Sequence, residues 1–197
     1  MNSIIRLYFL TCCAAAVIVF VIMVTMARAR SGVAESGPEG LGRHLLGVLT
    51  ALLLLVPPFV ILTELGEIKA DWLMVRLSGV LLSLYAGGME LWAARTLGRF
   101  YVPWAVVLED HNLITGGPYR FLRHPDYSSL LALWLGYTLG TLNVWLLLLF
   151  PIMAVGFSME ARLEERLLAS KFGDLYVRYA AGKRRFIPRL RFSAPAA

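Results

Sequence analysis

Apolar positions run almost unbroken from Ile4 to Met26, again from His44 to Leu65, and again from Trp72 to Ala93. Each run holds the roughly 20 apolar residues that a helix needs to cross a bilayer. The first has Arg6 close enough to its end to snorkel. A secretory signal is its rival reading, since Ala27-Arg28-Ala29 resembles a cleavage site, but the run exceeds the roughly 7–15 residues of a signal core. Pro57-Pro58 predicts a kink in the second run, which neighbouring helices tolerate in lipid. The third carries Arg76 near its start and Glu90 near its end. Then the pattern breaks. The polar stretch "HNLITGGPYRFLRHPDY" leads into Tyr127–Gly140, a run too short for an upright crossing. Thr141-Leu142-Asn143 reads as a tight turn. Val144–Ser158 starts a further apolar helix that continues without a breaker into the charged "MEARLEERLLASKF".

Composition agrees with a bilayer. Of 197 residues, 58% are hydrophobic and only 16% charged, against roughly 25% charged in soluble domains. The expected fold is an all-α, multi-pass transmembrane helical bundle of about five spans, with a cytoplasmic cofactor pocket built by the C-terminal half. It reads as one integral membrane domain, 1–197, made of N-terminal spans (1–94), a catalytic region (95–190) and a tail (191–197). No repeat or flexible linker divides it.

A net charge of +6 fits loop topology better than nucleic-acid binding. Sixteen of the 19 lysines and arginines lie after the first run, after the third, or from Arg162 onward. The loop from Glu64 to Asp71 has only Lys69 against three acids. The positive-inside rule then puts the N-terminus outside and both the polar stretch and the C-terminus in the cytoplasm, at the inner membrane if the source is bacterial. The basic tail "KRRFIPRLR" also suits anionic membrane lipids or a plain solvated tail. Cys12 and Cys13 read as small apolar helix residues, and no Cys/His spacing suits a metal.

The chemistry gathers in the polar stretch and the charged helix after it. Together they offer His111, Tyr119, Arg123, His124, Glu164 and Glu165. Gly116-Gly117-Pro118 and His124-Pro125 fix turns, and Pro125 with Asp126 starts a helix well. The plain alternative is a juxtamembrane loop, which suffices for Arg120. The fuller set suits a zwitterionic ligand, because a carboxylate needs arginine or histidine donors and an ammonium needs a carboxylate. Leu113, Ile114, Trp134 and Leu135 offer an apolar floor for an adenine ring. No glycine-rich loop follows a strand, so a Rossmann-type site is unsupported. Glu90, within a span, is a functional candidate or structural glue to Arg95 or Arg76. Trp134, Trp145 and Tyr137 read as core or lipid-facing aromatics.

"HNLITGGPYRFLRHPDY" followed by "RLEERLLASKFGDLYVRYAAGKRRFIP" resembles the isoprenylcysteine carboxyl methyltransferase family. The family pattern is H-x-L-V-x-x-G-x-Y-x-x-x-R-H-P-x-Y, then E-E-x-x-L-x-x-x-F-G-x-x-Y-x-x-Y and a late proline. The likeness covers about Arg95–Pro188. It implies a multi-pass membrane enzyme that uses S-adenosylmethionine to methylate a lipophilic acceptor, with no metal. Carried over by position, His111, Asn112, Leu113 and Ile114 would line the adenosine side. Tyr119, His124, Pro125 and Tyr127 would hold the ribose and methionine parts. Glu164 would meet the ammonium, and Arg123 would orient a carboxylate or support the turn.

Two positions depart from the pattern. Ser129 replaces a glycine. Glu160 stands where the eukaryotic enzymes have an arginine for the substrate carboxylate, and Arg162 lies about 200° further round the helix. Beside an acceptor carboxylate at about 4 Å, Glu160 would repel it by roughly 4 kcal/mol at an effective dielectric near 20. A neutral or cationic acceptor is therefore expected. NADPH-dependent sterol-type membrane reductases share a similar hairpin, but their usual string is RHPNYxGE, whereas this chain has RHPDYSSL. A non-catalytic membrane scaffold is the remaining alternative.

Overall fold

A computed structural model of the chain describes residues 3–30, 34–36, 41–101, 107–108 and 112–188, the side chains of 26–46 and 107–108 excepted. Six α-helices follow in order: α1 (Ser3–Arg30), α2 (Leu41–Thr63), α3 (Leu73–Leu97), α4 (Pro125–Thr141), α5 (Val144–Phe172) and α6 (Asp174–Ala181). Two short strands, β1 (Ala34–Ser36) and β2 (Val107–Leu108), pair antiparallel. The fold is an all-α bundle with that one small ribbon. Within the described residues, Ser3–Thr25, Leu73–Phe100 and Val144–Phe172 are long and apolar enough to cross a membrane, and Gly47–Thr63 is a shorter apolar helix. Large apolar side chains face outward on all of these helices, among them Leu62, Leu81, Leu148 and Val155. Water would penalise such a surface, whereas lipid tails do not.

Small residues decide which helices touch. On α3, Gly79, Ser83 and Ala86 are buried along one face, and on α4 so are Ser129, Gly136 and Gly140. A Cβ on Gly79 would overlap the backbone of Gly140, and one on Gly136 would stand 3.0 Å from the Gly79 carbonyl oxygen. Such stripes let backbones approach where no hydrophobic effect drives helices together. The outer edge of the Phe9 ring on α1 occupies the place beside Gly140, and Leu49 of α2 fills the place beside Gly156 of α5. Around these contacts lie Ile61, Trp134, Tyr137, Leu146, Met153 and Phe157, all buried. Trp134 donates from Nε1 to the Leu146 carbonyl at 2.8 Å, so the core satisfies its one indole N–H.

The two ends of the bundle differ. At one, Asn143 caps α5 by accepting from the Trp145 and Leu146 amides and donates to the Leu65 carbonyl. Ile68 N–H bonds to Leu142 O, and Val144 N–H to Gly66 O. The α4–α5 tip is thus stitched to the α2–α3 loop. Glu67 joins Arg6 of α1 to Arg76 of α3, while Arg76 also donates to Gly140 O. Arg76 is therefore engaged here, far from Glu90. Helix α4 begins at the opposite end and rises about 25 Å over its 17 residues, enough to bring its tip to this cluster.

Candidate functional site

At the other end, the chain between α3 and α4 folds back on itself. Gly117 has φ of +53° and presses its Cα face against Thr96 of α3, leaving no room for a Cβ. Glycine is required there on both counts. Pro118, Tyr119 and Arg120 complete a 3₁₀ turn. Helix α5 extends well beyond the apolar core, ends at Gly173 in the left-handed region, and is followed by α6. The tail then straps the turn. Arg123 N–H bonds to Arg184 O, His124 N–H to Arg185 O, and Ser128 Oγ to Phe186 O. Tyr179 Oη donates to Tyr119 O at 2.9 Å.

Charged groups converge under this strap. Glu165 accepts from Arg185 Nε at 2.9 Å and NH2 at 2.7 Å, and from Arg123 NH1 at 3.0 Å. His124, only 2% exposed, sits between Glu165 (Nε2, 3.2 Å) and Glu164 (Nδ1, 3.5 Å). Burial pulls the His124 pKa down, but the Glu164 and then the Glu165 carboxylate outweigh it and raise it to about 9. The ring is an imidazolium at neutral pH. It stacks on Tyr127, which stacks in turn on Phe157. Asp126 is pushed up by burial and by Glu164, with His124 opposing.

Beside this cluster lies a cavity of about 440 Å³. Leu113, Ile114, Tyr119, Arg123, Tyr127 and Glu164 line its polar end. Its other end is apolar and walled by α1, α2 and α3, including Ala15, Val19, Phe20, Leu53 and Leu54. The cofactor pocket expected from the sequence is built by the C-terminal half; this cavity is also lined by residues of the N-terminal helices. Tyr119 Oη, Tyr176 Oη and Arg123 Nε are buried without hydrogen-bond partners among the described residues, and all three side chains line the cavity. Buried polar atoms are seldom left so.

The structure brings together Leu113, Ile114, Tyr119, Arg123, Tyr127 and Glu164 at the cavity, with His124 and Pro125 packed directly behind. Asn112 is exposed, and His111 lies outside the described residues. Glu160 is fully buried, with both oxygens unpartnered among the described residues, and is not one of the cavity-lining side chains. Arg162 is exposed. Three residues were not assigned roles from sequence: Glu165, the hub of the ion cluster, and Tyr101 and Ser129, which both donate to Glu90. The adjacent carboxylates 164 and 165 were a visible signal for Glu165. The pair on Glu90 had none, being separated from it by 11 and 39 residues.

Comparison with known proteins bears on this geometry. The family model for phospholipid methyltransferase matches residues 74–175. The cobalt-zinc-cadmium resistance protein CzcN of Cupriavidus metallidurans is 32% identical over 166 residues, 81% of this chain and 74% of that protein. Protein-S-isoprenylcysteine O-methyltransferase B of Arabidopsis thaliana is 32% identical over 80 residues, 36% of this chain and 37% of that enzyme. The Schizosaccharomyces pombe protein-S-isoprenylcysteine O-methyltransferase is 38% identical over 72 residues, 36% of this chain and 30% of that enzyme.

Proposed function

Because the chain belongs to the phospholipid methyltransferase family and is a membrane methyltransferase of the isoprenylcysteine carboxyl methyltransferase type, we propose that it transfers a methyl group from S-adenosylmethionine to a lipophilic acceptor. One observation supports this most: a single cavity runs from a polar, charged end to an apolar end walled by membrane helices. A soluble cofactor would enter from the water side and a greasy acceptor from the bilayer.

The residues present fit S-adenosylmethionine. Its ammonium needs a carboxylate, and Glu164 lines the cavity with its side chain 31% exposed. Its carboxylate needs a cation, and Arg123 Nε is buried without a partner among the described residues. Tyr119 and Tyr176 hydroxyls would bond its polar groups, while Leu113 and Ile114 offer apolar surface to the base. His124 would hold Glu164 in place and keep the local charge balanced. Asn112 and His111 would lie toward the adenosine side. When bound, the cofactor supplies an electrophilic methyl carbon on a positively charged sulfur. The chain's task is then to align the acceptor in line with that bond and to exclude water. Tyr127 and Phe157 provide the rigid stacked floor for that alignment.

The relative named for cobalt, zinc and cadmium resistance does not alter this reading. Among the described residues no three His, Cys, Asp or Glu side chains cluster as a metal site. Orientation follows from charge and is supported by contacts. β1, in the loop after α1, pairs with β2, in the segment after α3, so the two arginine-bearing connections share one end. We place that end and the C-terminus in the cytoplasm, with the start of α1 outside.

Calorimetry in detergent tests the cofactor. The demethylated product of the cofactor should bind and NADPH should not. Glu164→Gln should weaken binding by about 1.5–3 kcal/mol, the range for a hydrogen bond to a charged group. Equal affinity in the folded variant, or tight NADPH binding, would refute the assignment.

A further inference from the structure

Glu90 sits within the stretch Leu73–Phe100, which is long and apolar enough to cross a membrane, and its side chain lines the cavity. Its neighbours Leu91 and Trp92 expose about half of their apolar surface, which places this level of α3 against lipid. A carboxylate there is costly, and pairing with a cation is the ordinary remedy. Here no ion pair to Glu90 occurs among the described residues. Instead one oxygen accepts from Tyr101 Oη and the other from Ser129 Oγ. Ser129 Oγ, which carries a single hydrogen, also lies 2.6 Å from the Asp126 carbonyl, so the two acceptors share that proton; the residue stands where the family pattern has glycine. These contacts orient the carboxyl group without pairing it with a cation among the described residues.

Where Glu90 lies in the cavity is as informative as what holds it. Tyr101 and Ser129 line the cavity as well, together with the α1 residues Cys12, Ala15 and Ala16 and the α4 residues Leu130 and Leu133. Apolar wall therefore surrounds this carboxylate, on the side where a lipophilic acceptor would lie. Glu160 faces no such space. Besides Tyr101, the other ionisable groups around the cavity are Cys12 on α1, Asp126 and Tyr127 on α4, Glu164 on α5, Tyr176 and Tyr179 on α6, and Tyr119 and Arg123 in the turn; α2 contributes none among its described side chains. Of the carboxylates, Glu164 is bound to His124, and Asp126 stands at the first turn of α4 beside His124 and Glu164. Of these three carboxylates, Glu90 is the one with no cation beside it among the described residues.

We propose that Glu90, aimed by Tyr101 and Ser129, is the acceptor-side group of the cavity, taking the proton from a protic lipophilic nucleophile and excluding carboxylate acceptors. The inference rests on the methyltransferase reading above. The nucleophile is an amine nitrogen or a phenolic oxygen. Its lone pair forms the new bond to the methyl carbon, and the carbon–sulfur bonding pair returns to sulfur, which leaves as a neutral thioether. The N–H or O–H proton goes to a Glu90 oxygen, and from there to water through the polar end. An acceptor carboxylate has no proton to give and meets a like charge at the same place. The specificity that sequence assigned to Glu160 thus passes to a residue in the cavity.

The test combines Glu90→Gln and Glu90→Asp with Asp126→Asn as a control. Four measurements are made on each purified protein in detergent: affinity for the demethylated cofactor, kcat and KM on a long-chain amine and an alkylphenol, turnover of a prenylcysteine analogue, and the pH–rate profile. Loss of general-base catalysis is worth roughly 10²–10⁴ in rate. Glu90→Gln should lose at least 100-fold in kcat on the protic acceptors and flatten the acidic limb of the profile. Its cofactor-product affinity should stay within threefold. Glu90→Asp should recover part of the rate. On the prenylcysteine analogue, Glu90→Gln should match or exceed the wild type. Full activity of Glu90→Gln on protic acceptors would overturn the proposal. So would a loss that follows Asp126→Asn instead, or a wild type that binds the cofactor product yet turns over only the carboxylate, or none of the acceptors. A wild type that fails to bind the cofactor product would overturn the methyltransferase reading itself, which is a separate outcome.

Discussion

The protonation of His124 is the most exposed consequence of the ion cluster. Its folded pKa is about 9 against an ordinary 6.5. At 1.36 kcal/mol per unit, that difference links folding to pH by about 3 kcal/mol. The sign follows from the direction: a histidine whose pKa is raised on folding adds stability that is complete below about pH 6.5. That stability is lost as pH climbs through about 9. Burial acts the other way, so the upward shift comes from carboxylates: Glu164 first, then Glu165, with Asp126 adding to them. Glu165→Gln should therefore lower the midpoint toward 6.5. Adding Glu164→Gln should lower it further, because burial is then opposed only by Asp126. The chain has three histidines, so carbon-labelled imidazole signals followed by NMR from pH 5 to 10 can be assigned with His124→Asn. Stability against denaturant over the same range should fall between pH 7 and 9.5 in the wild type and stay flatter in the double variant. A wild-type His124 that titrates near 6.5, or an unchanged midpoint in the double variant, would refute the cluster as described.

Two further predictions concern the frame. Gly79→Leu should destabilise the bundle by at least the roughly 1–3 kcal/mol of ordinary overpacking, since even a Cβ overlaps the Gly140 backbone, whereas Gly87→Ala, with nothing within 4 Å of its Cβ, should be nearly neutral; detergent unfolding curves of both compare them directly. A reporter fused after Ala197 should behave as cytosolic and one fused before α1 as external; the reverse pattern would remove the charge-based orientation.

The chain's own pattern determined the helices and much of the polar end. A span of apolar residues matched to bilayer thickness, a glycine pair before a proline, and an asparagine before an apolar run each act through a few neighbouring residues. They are legible without knowing what packs where. For the same reason the turn from Gly116 to His124 and the adjacent carboxylates 164 and 165 stood out, and the family resemblance rested on them. Tertiary structure decided the rest. Gly79 and Gly140 set how closely α3 and α4 cross, and that crossing brings Ser129 onto Glu90 over 39 residues of sequence. The rotation of α5 about its own axis turns Glu164 into the cavity, Glu165 onto Arg185, and Glu160 into the packed interior. Consecutive positions on a helix lie about 100° apart, so a motif specifies which side chains are present but not which of them meets the space. That is settled by the neighbouring helices, and here α1 and α2, which carry no recognisable motif, close the cavity.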